Sequence, residues 1–114
     1  MLDSGKLSRT IEHVMGLAVN GDYVGLETFT RGQRLTANDI GAAIADYGRR
    51  LVAPPRNIGP RSVVEIEGSK PERWSVYVDL WTAEEGRSDL TLELTVTDSP
   101  GDMYGVQVDN IHVL

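Results

Sequence analysis

Cysteine is missing from this 114-residue chain, which removes disulfide frameworks, thiolate zinc sites and cysteine nucleophiles from consideration. Long apolar runs are missing too. No stretch approaches the roughly 20 residues that cross a bilayer, and the opening MLDSGKLSRTIEHVMG places a charged or polar residue every few positions where a signal peptide needs an apolar run. A cytoplasmic protein without membrane contact is the expectation. Basic residues are in the minority, 11 against 17 acids for a formal charge of −6, so a phosphate backbone is repelled at long range and nucleic acid is not expected as a partner.

The usual chemistry-bearing motifs are absent as well. The two histidines, His13 and His112, have no second ligand at a metal spacing such as H-E-x-x-H, so no metal site is expected. Twelve glycines form neither G-x-G-x-x-G nor a phosphate-binding loop, and no nucleotide cofactor is expected. The nucleophile elbow G-x-S-x-G does not occur. The run Glu84 to Asp89 lacks calcium-loop spacing and reads as a charged hairpin turn. With no nucleophile, metal set or acid–base pair in place, catalysis is not expected.

What the chain does hold is two kinds of periodicity. Leu7, Ile11, Val14, Met15 and Ala18 recur at 3.6 residues and predict a first helix, capped by Asp3 or Ser4. Asn20 and Gly21 end it, and Asp22 opens a shorter helix through Tyr23, Leu26 and Phe29. Thr36 with Asp39 three residues on forms a near capping box for a third helix carrying Ile40, Ala43, Ile44, Tyr47 and Leu51, with Arg49 and Arg50 in its last turn. The Pro-rich segment 53–60 must be a loop.

Beyond that loop the period becomes 2, with strands predicted at Val63–Glu67, Trp74–Thr82, Leu90–Asp98 and Tyr104–Leu114 joined by short hairpins. The expected fold is a single α+β domain spanning 1–114. About three N-terminal helices pack on one face of a curved, mainly antiparallel four-stranded sheet. Its core is expected to hold Ile11, Ile40, Ile44, Trp74, Val78, Leu80, Leu92, Leu94 and Val106. A bulge near Asp109 or Asn110 reconciles Val106 and Val108 with Ile111 and Val113.

The opposite face carries Tyr77, Asp79, Trp81, Glu93 and Asp109 amid threonines. Pairing Leu80 with Leu92 and Leu94 with Val108 aligns Asp79, Glu93 and Asp109 across three strands, an unfavourable row that asks for a cation, a basic partner, or Arg73 or Arg87 folded over it. Aromatics ringed by polar residues are typical anchors of a protein contact. These five residues are the candidate partner-binding set, for a second copy of the chain or for another protein. As the alternative, Tyr23, Phe29, Tyr47, Trp74 and Tyr104 are candidates for lining a pocket between helices and sheet that binds or isomerises a small apolar ligand.

The order of helices before a meander, with N-G-D-Y-V-G-L-E-T-F at residues 20–29 closing one helix and opening the next, resembles the nuclear-transport-factor-2-like superfamily, also called SnoaL-like, of cystatin-like α+β fold. The resemblance implies helices over one sheet face, a conical pocket between them and pairing of two copies through the other face. In the ketosteroid isomerases of that superfamily a catalytic tyrosine stands where this chain has Val14, and an acid follows the second helix where it has Thr30, Arg31, Gly32 and Gln33. The run W-S-V-Y-V-D-L-W-T-A-E-E-G-R-S-D-L-T-L-E-L and the ending V-D-N-I-H-V-L resemble an uncharacterised family of small bacterial domains, which implies no activity.

Overall fold

Three helices lead. In the computed structural model, which describes all residues 1–114, α1 spans Ser4–Val19, α2 Tyr23–Thr30 and α3 Ala37–Tyr47. Each begins where a short polar side chain satisfies a first-turn amide. Asp3 accepts from the Lys6 N–H at 3.0 Å and Asp22 from Gly25 at 2.9 Å. Thr36 and Asp39 exchange hydrogen bonds in a complete capping box. These bonds to the charged form hold the Asp3 and Asp39 carboxyls below the ordinary aspartate range, through the Lys6 and Thr36 amides first of all. A lowered carboxyl contributes stability that is present above its unfolded value and lost as pH falls through the folded one, so both caps weaken only in strong acid. Replacing Thr36 with Ala is expected to cost about 1 kcal/mol, read as a lowered urea midpoint at neutral pH. An unchanged midpoint would show that α3 is held by packing alone.

The third helix stops earlier than its apolar spacing predicts. Gly48 adopts the left-handed conformation at φ 73° and turns the chain, so Arg49 and Arg50 lie beyond the helix. Leu51 belongs to a two-residue strand, β1 Leu51–Val52, that the sequence reading lacked. The other strands are β2 Ser62–Ile66, β3 Arg73–Thr82, β4 Gly86–Thr97 and β5 Gly105–Val113.

All strand pairs are antiparallel in the order β1-β3-β4-β5, with β2 on the same edge of β3 as β1 but at its other end. The sheet thus has five strands, not four, and one edge of β3 is shared. Burial alternates strictly along β3. Trp74, Val76, Val78 and Leu80 face the helices together with Leu92, Leu94, Val96, Val106 and Val108, all buried, and meet Leu7, Val14, Leu26, Ile40 and Ile44. Ile11 is only half buried, because the centre of the α1 stripe falls on Thr10, Val14 and Met15.

The register of β3 against β4 differs from the expected one by two residues. Val78 stands opposite Leu92, and Tyr77 opposite Glu93. The cause is the tight turn that pairs Thr82 with Gly86, and a break between Asp79 and Trp81, where Ser88, Asp89 and Leu90 all lie opposite Leu80, makes up part of the difference. Ser88 Oγ fixes it by donating to the Leu80 carbonyl at 2.7 Å, and both residues are buried. The bulge expected in the last strand is present: Leu94 pairs with Val108 and Glu93 with Asn110, leaving Asp109 as the extra residue.

Candidate functional site on the open sheet face

The helices cover one side of the sheet. On the other, β3 presents Tyr77, Asp79 and Trp81, β4 presents Thr91, Glu93 and Thr95, and β5 presents Gln107, Asp109 and His112. The five residues expected to form a contact surface are therefore gathered on one face, each half buried in the isolated chain. Thr91 at the centre is fully buried by its neighbours. Val64 of β2, on the same face beside Ser75, is 60% exposed.

The acids do not form the expected row. Asp79 faces Thr91, Glu93 faces Tyr77, and Asp109 sits in the bulge. Each has a basic side chain beside it. Arg61, from the end of the Pro-rich loop, meets Asp79 at 2.7 Å as an ion pair off the hydrogen-bond direction. His112 Nε2 meets the Glu93 carboxylate. Asp109 accepts from Thr95 Oγ1 at 2.7 Å and from Gln107 Nε2 at 2.6 Å, with Arg34 at 3.6 Å. Arg73 and Arg87, the cations expected from the sequence, make no ion pair with these acids. Arg73 is the first residue of β3 and Arg87, on β4, stands opposite Trp81 near its other end; both are exposed.

Tyr77 is held above its ordinary titration range by its contact with Glu93 and by that carboxylate's charge, with burial and Asp109 adding to the effect. The phenol stays a neutral donor. Trp81 lies between Val52 of β1 and Arg87 of β4, over Gly86, whose added Cβ would stand 3.8 Å from the ring. Its indole N–H is buried with no acceptor. The parity of β3 makes the aromatics and acids legible in the sequence, but Arg61, Arg34 and His112 are not visible as their partners. Two of them come from loops.

The pocket candidates are not brought around one cavity. Trp74 and Tyr104 touch, ring centroids 5.4 Å apart, both within the core. Tyr104 accepts from the Asp3 N–H at 2.8 Å and lies under Lys6 Nζ. Phe29 packs edge-on against His13, and Tyr23 packs on Gly41. Tyr47 donates to Glu85, and burial followed by that bond raises its phenol. Phe29 and Tyr104 do share the wall of an open cleft of about 770 Å³ between α2 and the β4–β5 turn. Tyr47 lines a smaller one of about 320 Å³ beside Ile111 and His112. No group of three or more His, Asp or Glu side chains is placed to hold a metal ion, and no helix is long and apolar enough to cross a membrane.

Residues 15–114, which include the whole sheet and both shorter helices, match the family described as a domain of unknown function, DUF7668. The chain belongs to that family. The search of curated proteins found no match, nor did the search of solved structures. The family's match covers the five candidate contact residues of the open face and the three basic residues beside its acids.

Proposed function

We propose that this family member is a protein-binding module that uses the open face of its sheet, in the first place to bind a second copy of itself. The observation that carries the reading is the pairing of every acid on that face. Asp79 and Asp109, 10% and 21% exposed, each have an arginine beside them, and Glu93, 18% exposed, has the His112 imidazole, so the face can be dried with every carboxylate in contact with a basic side chain. Tyr77, Trp81 and the exposed Val64 supply the apolar area that such a contact needs. A strongly basic target is less favoured, because the acids that would attract it are already compensated. Pairing through this face is also what the resemblance to the nuclear-transport-factor-2-like superfamily implies, and a cytoplasmic bacterial setting belongs to the same reading.

Size-exclusion chromatography with light scattering tests it. The wild type is expected to run as two chains, and Trp81→Ala and Tyr77→Ala as one. A dimer indifferent to both substitutions would place the interface elsewhere, and a monomeric wild type would leave only a different protein as partner.

A second reading, a site for a small apolar ligand, draws on the cleft that Phe29 and Tyr104 share with Met103 and Val106. Broadened amide resonances of these residues on titration with an apolar fluorescent probe would support it, and an unperturbed cleft would remove it.

A further inference from the structure

We propose that His112 sets the strength of self-association through the open face, so that two copies bind more tightly in mild acid than in mild alkali. This rests on the sheet-face reading above and adds its control. At the centre of the face three carboxylates meet three basic side chains, of which two, Arg61 and Arg34, are permanent cations. The third is an imidazole, which ordinarily changes charge between about pH 6 and 7.

His112 is the one imidazole on this face, and the charged and titratable groups around it are otherwise engaged. From β4, Glu93 touches it directly. From β3, Tyr77 bears on the same carboxylate and is held neutral above its ordinary range, while Asp79 is engaged by Arg61. From its own strand, Asp109 is engaged by Thr95, Gln107 and Arg34. From α3, Asp46 and Tyr47 share with it the small cleft at the strand end, and burial raises the Tyr47 phenol. His13, the other histidine, lies on α1 against Phe29, away from the open face. The terminal amine of Met1 is raised above its ordinary value by its bond to Glu72, which keeps it charged through neutral pH.

With His112 protonated the three acids are balanced. With it neutral, Glu93 keeps its charge at 18% exposure and has lost its cation. In a two-fold pair the same patch meets itself, so the excess negative charge enters the contact twice and must be desolvated twice. Like charges brought together in a drying interface weaken it.

The test is the dimer dissociation constant at about pH 6 and about pH 8, by sedimentation or light scattering, for the wild type, His112→Gln, Glu93→Gln and His13→Gln, each checked for folding by circular dichroism. The wild-type constant is expected to rise about tenfold or more between the two pH values. His13→Gln keeps that response. His112→Gln is weak at both pH values, and Glu93→Gln, which needs no cation, is tight at both. A wild-type dimer equally tight at both pH values overturns the control by His112 and leaves the interface reading standing. A response that persists in His112→Gln assigns it to another group and overturns the proposal. Monomers at every pH overturn the proposal together with self-association and leave only a different protein as partner of the face.

Discussion

Leu94→Ala is expected to destabilise the fold by about 3 kcal/mol or more, because its side chain is fully buried and the cavity left adds to the lost transfer energy. Its position makes it a central point of the layer. Leu94 pairs with Val76 on one side and Val108 on the other, so the void opens in the middle of the three longest strands, where neighbours held by two ladders cannot collapse inward. A domain of this size has roughly 5 to 15 kcal/mol in total, and a loss of this size is a large part of it. Urea unfolding followed by tryptophan fluorescence reads the change, and Leu94→Met, which keeps the volume, should cost under about 1.5 kcal/mol. Equal and small costs for both would mean that the core at Leu94 is loosely packed.

The second large effect is expected where helix and sheet are joined by a polar contact. Thr10 of α1 is fully buried, donates its hydroxyl to the Lys6 carbonyl at 2.7 Å and accepts from the Tyr104 N–H at 2.9 Å. Thr10→Val keeps the shape but leaves the buried Tyr104 amide without an acceptor, at a cost of about 1 to 3 kcal/mol. Thr10→Ser keeps the hydroxyl and should recover most of that energy, apart from the methyl group. Amide hydrogen exchange gives a local check: Tyr104 should lose protection in the valine variant by more than residues of the β3–β4 ladder do. Uniform loss would mean that the bond is not a separate tie between α1 and the start of β5.

The parts of this fold that were legible in the sequence are those set by neighbours in the chain. Caps at Asp3, Asp22 and Thr36, the period-2 alternation of β3 and the bulge at Asp109 follow from residues a few positions apart. The β3–β4 register was not, for a specific reason. A slip by two residues returns every side chain to its own face, so Leu80 or Val78 opposite Leu92 satisfies the apolar pattern equally well. What decides is the tight turn pairing Thr82 with Gly86 together with the local break at Ser88 to Leu90, which a side-chain bond stabilises and alternation does not reveal. The end of α3 is not legible, because Leu51 continues the helical spacing while the left-handed turn at Gly48 overrides it. The surface was legible as a set of residues and illegible as a circuit. Arg61 and Arg34 reach Asp79 and Asp109 from segments with no periodicity, and their approach depends on where loops cross the sheet.

The shared edge of β3 bears on what kinds of assembly the chain can enter. A bare strand margin is a template on which further strands are added without limit, the route to ribbons and fibrils. Here one margin is divided between a two-residue strand and a five-residue one with a Pro-rich loop between them. The other, along β5, is interrupted where Arg34 bridges to Val108. Neither offers an incoming chain a long straight rail of free amides and carbonyls. Growth in the plane of the sheet is thereby discouraged, and a two-fold contact of one face with itself, which closes at two copies, is left as the accessible kind.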